Sequence, residues 1–385
     1  MEIPSGFGKP KLMVSDALHG AGYRQKHPLS YVQSKAMSAI ERCRTARLGA
    51  HVDICYNCGD MQISYNSCRN RHCPKCQTLS KERWIEGQSF NLLNVPYFHD
   101  VFTLPSELNP ITYQNQQVLY NLLFHTIADT LQELAKDKKY LGATLGFTAV
   151  LHTLGQNLMF HPHIHCIIPA GGLNTLSKWV PSKKKFFLPV KVISRKFRDK
   201  SLYHLKQAKL NFFGAQSHLA NSKEFQSLLD ICYKKEWIVY CKPPFKDASC
   251  VVEYLGRYTY RVAISNHRIL GLENGQVSFK WRDYSDSNKW KTMRLSADEF
   301  IRRFLMHVLP SGFMKIRHYG LLENRNKNSK LRLCKKLTFT PIQNQQRAST
   351  LDLLGKLLGR DICKCPVCGC ERNHSNTGLS PPVAD

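Results

Sequence analysis

The sequence predicts an α+β fold with three successive regions: a cysteine-rich module, a segment of strands and helices, and a basic region with a second cysteine cluster. Three observations indicate this fold. Six cysteines lie between Cys43 and Cys76 with little hydrophobic periodicity, strand-like segments begin at residue 97, and a long amphipathic pattern covers 111–137. The predicted domains are 1–95, 96–275 and 276–385.

Most elements follow from local signals along the chain. Segments 146–155 and 161–172 read as strands that a short connection separates, so we expect them to pair antiparallel. An Asn-Gly pair at 274–275 predicts a hairpin turn. The tail from residue 373 is expected to be disordered. The remaining predictions are helices at 28–42, 79–93, 111–137 and 296–309, and a strand at 97–105.

The charge balance favours a polyanionic partner. Lys and Arg number 55 against 28 Asp and Glu, a net charge of +27, and each phosphate that they neutralise would release condensed counterions. A membrane surface would attract the same charge, but no run of about 18 apolar residues is present to span a bilayer. The opening residues MEIPSGFGKP do not resemble a signal peptide. We therefore expect no membrane partner and a cytoplasmic location.

The cysteine spacing predicts zinc rather than disulfides. The 15 cysteines are an odd number, and most of them crowd into two short clusters. Two C-x-x-C knuckles offer four thiolates for one tetrahedral zinc ion, and these ligands would be Cys55, Cys58, Cys73 and Cys76. A second site in the same module could use Cys43, His51, Cys68 and His72, with the pairing left open.

Basic residues lie among these ligands, and a further knuckle lies near the C-terminus. Arg69, Arg71 and Lys75 suit contact with a DNA backbone, although a solvated charged rim would have the same composition. Near the C-terminus, Cys365-x2-Cys368 forms a knuckle flanked by two more cysteines. Four cysteines within eight residues would strain a single zinc site, so a partner such as Cys334 or His374 is expected.

Paired histidines predict a second kind of metal site. In a strand, residues two apart point to one face, so His163 and His165 would project together. Gln156 lies at the turn end of the neighbouring predicted strand and could supply a third ligand across the antiparallel pair. Two imidazoles and one amide oxygen leave coordination positions open, which suits Mg²⁺ or Mn²⁺ bound to a phosphate. Ordinary strand histidines are the alternative.

Two tyrosines downstream could supply a nucleophile. Tyr254 and Tyr258 are four apart, a spacing that stacks both side chains on one face of a helix. A phenol with a pKa of about 10 is a poor nucleophile on its own, and a nearby divalent ion would help by stabilising the transition state. Arg257 and Arg261 flank the pair and could hold phosphates. By spacing alone, amphipathic core tyrosines are the simpler interpretation.

These residues together resemble a known family, the two-tyrosine, HUH-type rolling-circle transposases of bacterial insertion sequences. The similarity covers nearly the whole chain. The cysteine module resembles that family's N-terminal zinc-binding domain, and three segments resemble its nuclease motifs: VFTLP, HPHIHCIIPAGG and YLGRYTYRVAISNHRI. The segments KWRDY and DEFIRRFLMHVLPSGFMKIRHYG resemble its C-terminal blocks.

The resemblance implies a nuclease domain with a central antiparallel sheet flanked by helices. It implies that Tyr254 and Tyr258 are the nucleophiles and that His163, His165 and Gln156 bind the catalytic ion. The expected partners are single-stranded DNA and element ends that carry hairpins beside a short target sequence. Since the sequence contains no G-x-x-x-x-G-K-[ST] motif, a host helicase is expected to unwind the strands, and the location would be at the nucleoid.

Three functions compete at this point. The first is a transposase that nicks and rejoins single-stranded DNA through a 5′-phosphotyrosine. The second is a replication initiator or relaxase with the same chemistry, against which the zinc module argues. The third is a non-catalytic, zinc-dependent DNA-binding protein in which the histidines are structural.

Overall fold

The computed structural model describes residues 12–19, 22–182, 188–245, 251, 254, 256, 262–284, 286–325, 327–342, 347–371 and 377–379. The helices in these ranges are α1 (Val14–His19), α2 (Tyr23–Lys26), α3 (Tyr31–Arg42), α4 (Gln77–Ser89), α5 (Asn109–Gln114), α6 (Gln116–Lys136), α7 (Val190–Gln207), α8 (Ser222–Lys234), α9 (Ala297–Met306), α10 (Lys327–Leu337) and α11 (Thr350–Leu358).

The strands in the same ranges are β1 (Ala50–Ile54), β2 (Met61–Tyr65), β3 (Tyr97–Thr103), β4 (Gly146–Leu154), β5 (Phe160–Pro169), β6 (Gly171–Leu173), β7 (Trp179–Pro181), β8 (Val239–Phe245), β9 (Ile269–Glu273), β10 (Gln276–Asp283), β11 (Lys289–Ser296), β12 (Ile316–Gly320) and β13 (Thr377–Leu379). The predicted α+β fold is confirmed.

Local hydrogen bonds explain several element boundaries. The side chain of Ser30 accepts from the backbone N–H of Gln33, and the Gln33 side chain accepts from the Ser30 N–H, so a capping box begins α3. Ser296 caps α9 in the same way, by accepting from the Glu299 N–H. Asn274 and Gly275 have φ of 50° and 69° and form the predicted hairpin turn between β9 and β10.

The long helix predicted over 111–137 is interrupted once. Asn115 leaves helical geometry with φ −121° and ψ 41° and separates α5 from α6. Its side chain exchanges two hydrogen bonds with the backbone of Asn211, of 2.8 and 2.9 Å. A contact with a residue nearly a hundred positions later in the chain therefore divides a segment whose local sequence pattern is continuously helical.

A five-stranded antiparallel sheet lies at the centre of the molecule, in the order β12-β4-β5-β3-β8. One face of this sheet carries the main core. Ile164, Cys166 and Phe102 are fully buried there, together with apolar residues of α6 and α7. Because side chains alternate along a strand, the intervening residues, which include His163 and His165, point to the opposite face.

A second core joins two distant parts of the chain. Apolar residues of α1 and α3, such as Leu18 and Met37, pack with Phe279 of β10 and with Phe300 and Phe304 of α9. The predicted boundaries at 95 and 275 separate these segments in sequence, whereas their side chains share one apolar cluster.

The C-terminal part returns to the N-terminal module. Before α11, the N–H of Ala348 donates to the Glu86 carboxylate on α4. Strand β13 pairs antiparallel with β1, which makes a three-stranded sheet of β13, β1 and β2. The expectation of disorder is therefore wrong for residues 377–379. In the described part of the chain, no helix combines the length and the apolar character needed to cross a bilayer.

Candidate functional site

Three histidines converge on the face of the central sheet that is opposite the main core. Strand β5 pairs with β4 so that His163 lies directly opposite His152, and His165 lies opposite Val150. Paired residues share a face of the sheet, so the three imidazoles form one group. Their ring centroids are 4.5 Å apart for His152 and His165, 5.0 Å for His163 and His165, and 5.4 Å for His152 and His163.

The donor set of this histidine group fits a divalent metal ion. One ring nitrogen from each histidine lies within 4.8 Å of the others. The Nδ1–H of His163 donates to the backbone carbonyl of His161 at 2.7 Å. The Nε2 of His163 is therefore the nitrogen that could bind a metal ion. Three protein nitrogens leave further coordination positions for water and substrate.

Gln156 does not join the histidines in the way that the sequence predicts. It lies in the turn between β4 and β5, four residues beyond His152, the residue that pairs with His163. Strand β4 ends at Leu154, before Gln156, and the Gln156 amide nitrogen donates to the Tyr284 hydroxyl at 2.8 Å. The hairpin register therefore places His152, and not Gln156, beside the predicted pair.

His99 on β3 extends the group by one residue. Its Nε2 lies 2.8 Å from Nδ1 of His165, and the two rings are stacked with centroids 5.0 Å apart. His99 is almost completely buried. Burial, aided by the positive charge of Lys242, lowers the pKa of His99 to about 3. The ring is therefore neutral at physiological pH.

Tyr254 reaches this histidine chain. Its hydroxyl lies 3.5 Å from Nδ1 of His99, and its ring meets the His99 ring edge-on with centroids 4.9 Å apart. The ammonium group of Lys242 lies 5.4 Å from the centre of the Tyr254 ring. The hydroxyl of Tyr254 is thus separated from His165 by the single ring of His99. Tyr258, Arg257 and Arg261, which the sequence also predicts as site residues, lie outside the described residues.

Packing on both sides positions the segment that carries Tyr254. Val251 is fully buried against Val150 and Ile167 of the sheet. Gly256 faces α4 so closely that an added Cβ would lie 2.3 Å from Cδ1 of Ile85. A side chain at position 256 would therefore require Ile85 to move, at the point where the tyrosine segment meets the helix that follows the cysteine module.

The cysteines of the N-terminal module form a group that differs from the predicted one. Sulfur atoms of Cys43, Cys68, Cys73 and Cys76 all lie within 4.8 Å of one another. Cys55 and Cys58, which the sequence pairs with Cys73 and Cys76, instead meet Cys365 and Cys368. His51 and His72, predicted for a second site, belong to neither group. The fold explains this difference in grouping. Helix α3 brings Cys43 to the loop that holds Cys73, while the β1–β2 hairpin holds Cys55 away from that loop.

The basic residues of the cysteine module have mixed surroundings. Arg71 donates to the backbone carbonyl of Phe313, and Lys75 donates to that of Cys43. Burial lowers the pKa of the neighbouring His72 to about 3. Only Arg69 of the three predicted DNA contacts is exposed, so Arg71 and Lys75 have structural partners in addition to any role at a DNA backbone.

The two site residues absent from the sequence prediction have different sequence signals. His152 lies eleven residues before His163 in a hairpin, so counting pairs outward from the turn could have identified it. The sequence signal for His99 is weaker. Strand β3 is the neighbour of β5 in the sheet, but it precedes the β4–β5 hairpin by about fifty residues in the chain.

The fold and site define the class: an α+β protein with a cysteine module suited to zinc and a central sheet that carries grouped histidines beside a tyrosine. Comparisons with known proteins give the family. Residues 17–104 match a model described as "Transposase zinc-binding domain", of the IS91 type, and residues 146–330 match one described as "Putative transposase".

Relatives extend the similarity over most of the chain. The "Putative transposase y4qJ" of Sinorhizobium fredii is 47% identical over 360 residues, which cover 91% of this chain and 90% of the relative. The "Transposase for insertion sequence element IS801" of Pseudomonas savastanoi pv. phaseolicola is 29% identical over 76% of this chain and 71% of its own length. No solved structure matches the chain.

This chain therefore belongs to the IS91-type family of insertion-sequence transposases. A transposase acts on DNA, so the protein is a DNA-processing enzyme, and its N-terminal module is a zinc-binding domain.

Proposed function

We propose that this transposase nicks and rejoins single-stranded DNA through a 5′-phosphotyrosine, as in rolling-circle transposition. The observation that carries the proposal is the contact chain from Tyr254 through His99 to His165, with the other two histidines of the group beside it. This arrangement joins a nucleophile to a set of metal ligands on one face of the sheet. A core tyrosine would need no such neighbours.

The residues His152, His163 and His165 would hold the catalytic ion, Mg²⁺ or Mn²⁺. An all-imidazole set suits Mn²⁺ better than Mg²⁺, because Mg²⁺ prefers oxygen ligands. When bound, the ion would act as a Lewis acid that stabilises charge on the phosphate in the transition state.

The contacts between the histidines determine which ring nitrogen of each one carries the proton. His165 Nδ1 is engaged with His99, so Nε2 is the nitrogen left to bind a metal. His165 Nδ1 then carries the proton and donates to His99 Nε2. A neutral His99 therefore carries its own proton on Nδ1 and can donate to Tyr254 Oη, which favours the phenolate. The ammonium of Lys242 near the ring favours the same charge.

The proposed cleavage balances as a transesterification. Tyr254 or Tyr258 forms an Oη–phosphorus bond while the bond from phosphorus to the 3′ oxygen breaks. The leaving 3′ oxygen takes the electron pair and accepts a proton from water to become a free hydroxyl. The phenol proton passes to water, so no net proton is gained or lost. In the rejoining step a 3′ hydroxyl attacks the phosphotyrosine and releases the tyrosine. Two tyrosines allow two such links to exist at once.

A cleft beside the β4–β5 turn could guide the DNA strand. Its volume is about 400 Å³, and its lining includes Lys81, Gln156, Arg268 and Trp290. Trp290 is 61% exposed, and exposed aromatic side chains next to cations are a usual way to bind single strands. Gln156 would then contribute to this cleft rather than to the metal site. Arg69, Arg257 and Arg261 remain proposed phosphate contacts.

The cellular substrate that we propose is the end of an insertion element, with its hairpins and flanking target sequence, opened by a host helicase at the nucleoid in the cytoplasm. The alternative of a replication initiator or relaxase is less favoured, because both relatives carry the name transposase and the matched zinc domain is a transposase domain. A non-catalytic DNA-binding protein would not require the contact between Tyr254 and His99.

The decisive experiment is a covalent-adduct assay with Mn²⁺ and a labelled single strand that carries the protein's own element end, resolved on a denaturing gel. We expect an adduct that needs the metal, is reduced or lost in each of Tyr254→Phe and Tyr258→Phe, and is absent in the double variant. Tyr203→Phe is the matched control, because Tyr203 is exposed on α7, which packs on the opposite face of the sheet. Strand binding without an adduct, or an adduct in the double variant, would overturn the proposal.

A further inference from the structure

Four sulfur atoms from the two ends of the chain meet in one place. Cys58 Sγ lies 3.6 Å from Cys365 Sγ, and Cys55 Sγ lies 3.6 Å from Cys368 Sγ, although more than 300 residues separate each pair. All four sulfurs fall within 4.8 Å of one another. A tetrahedral zinc ion binds four thiolates at about 2.3 Å each, and this spacing suits such an ion.

The two C-x-x-C segments form the same turn. The N–H of Cys55 donates to the carbonyl of Asp60 at 2.8 Å, and the N–H of Gly59 donates to the carbonyl of Cys55 at 2.7 Å. In the C-terminal segment, Cys365 and Cys370 make the first of these bonds and Gly369 and Cys365 make the second, both at 2.9 Å.

Backbone geometry extends this equivalence. Gly59 and Gly369 have φ of 73° and 72°, a conformation that favours glycine. The flanking residues also correspond: Ile54 pairs with Met61, and Lys364 pairs with Glu371 at the same offset. Each segment is therefore a complete zinc knuckle that offers two of the four ligands a zinc ion needs.

The equivalence also distinguishes the ligands from a fifth cysteine. Cys370 Sγ lies 3.4 Å from Cys55 Sγ and 2.9 Å from Cys368 Sγ. In the matching turn its position is occupied by Asp60, after the second cysteine and the glycine. The two equivalent knuckles thus define a symmetric set of four thiolates, with Cys370 beside it.

We propose that Cys55, Cys58, Cys365 and Cys368 bind a second zinc ion that fastens the C-terminal segment to the N-terminal zinc domain. The C-terminal ligands lie beyond both matched family regions, 17–104 and 146–330. Strand β13 supports the same closure, since it pairs with β1 through Ala50 and Val52, just before the first knuckle. The zinc ion would replace the apolar core that so short a segment cannot form.

Metal content tests the proposal directly. We expect the full-length wild-type protein to hold two zinc ions per chain by elemental mass spectrometry, and the Cys365→Ser/Cys368→Ser variant to hold one. Cys363→Ser is the matched control and should keep two, as should Cys370→Ser. One zinc ion in the wild type, two in the double variant, or loss of zinc in Cys370→Ser equal to that in the double variant would overturn this ligand set.

A measurement on the unaltered protein covers the case in which the double variant does not fold. Cys58 and Cys368 are exposed, so burial alone would not protect them from a thiol-alkylating reagent. We expect peptide mass spectrometry to find both unlabelled in the zinc-loaded protein, and labelled together after chelation, whereas Cys363 should be labelled throughout. Labelling of Cys368 before chelation at the rate of Cys363 would contradict the proposal.

Discussion

His99 and Asp100 are neighbours on β3 that point to opposite faces of the central sheet, and both are almost completely buried. Burial lowers the pKa of His99 to about 3 and raises that of Asp100 to about 7. The same desolvation thus acts in opposite directions on a base and an acid, and favours the neutral form of each.

The two residues differ in their partners. His99 contacts His165 and Tyr254 on the face that carries the histidine group. Asp100 lies among apolar residues of the main core, where the Cys241 thiol is the neighbour that opposes the upward shift of its pKa. A shifted pKa on its own therefore does not identify a functional residue. The contacts of His99 with a proposed ligand, His165, and a proposed nucleophile, Tyr254, are the better guide. Variants on both faces of the sheet can test this contrast.

The largest effect should come from a proposed metal ligand on the face that carries the histidine group. We expect His152→Ala to reduce single-strand cleavage by roughly 1000-fold, because the loss of a bound ion removes several kcal/mol of transition-state stabilisation. His161→Ala is the control, since His161 lies beside His163 but outside the ligand group, and should cleave normally. The measurement is single-turnover cleavage with zinc content determined in parallel. Normal cleavage by the His152→Ala variant would show that His152 is not a ligand of the catalytic ion.

A smaller loss of cleavage is expected for His99, which lies between the proposed ligand His165 and the proposed nucleophile Tyr254. His99→Ala should reduce cleavage by about 10- to 100-fold, as is common when a partner of a metal ligand is removed, with DNA binding unchanged. Added imidazole should restore part of the rate, which a purely structural role would not permit. If imidazole has no effect and the variant melts at a much lower temperature, His99 is a packing residue.

The smallest effect on cleavage is expected on the opposite face. Asp100→Asn should cleave at the wild-type rate and should alter only how stability depends on pH. The folded pKa of about 7 exceeds the ordinary value of 3.8, so the neutral carboxyl contributes stability that is complete below about pH 4 and is lost as the pH rises to about 7. The variant should therefore gain about 2–3 kcal/mol relative to wild type between about pH 5 and pH 8.

Urea unfolding of both proteins at those two pH values measures this difference. Taking the difference between variant and wild type cancels the contribution of buried histidines such as His72, whose lowered pKa acts in the opposite direction. A difference that does not change with pH would contradict the assigned pKa. If Asp100→Asn lost as much cleavage as His99→Ala, the two faces of the sheet would not differ in their importance for cleavage.

The sequence by itself determined the features that depend on near neighbours. The helix caps at Ser30 and Ser296 and the Asn274–Gly275 turn form through contacts within a few residues. The projection of His163 and His165 to one face follows from the period of a strand. Fold class and family were accessible for the same reason, since motifs and periodicity are local patterns.

Only the tertiary structure decided which distant residues meet. The register of the β4–β5 hairpin placed His152, rather than Gln156, opposite His163. The position of β3 in the sheet brought His99 to His165. The grouping of cysteines depended on the return of the C-terminal segment to β1, which no spacing within the first cluster could reveal. A C-x-x-C pair supplies half of a tetrahedral site, and the fold determines where the other half lies.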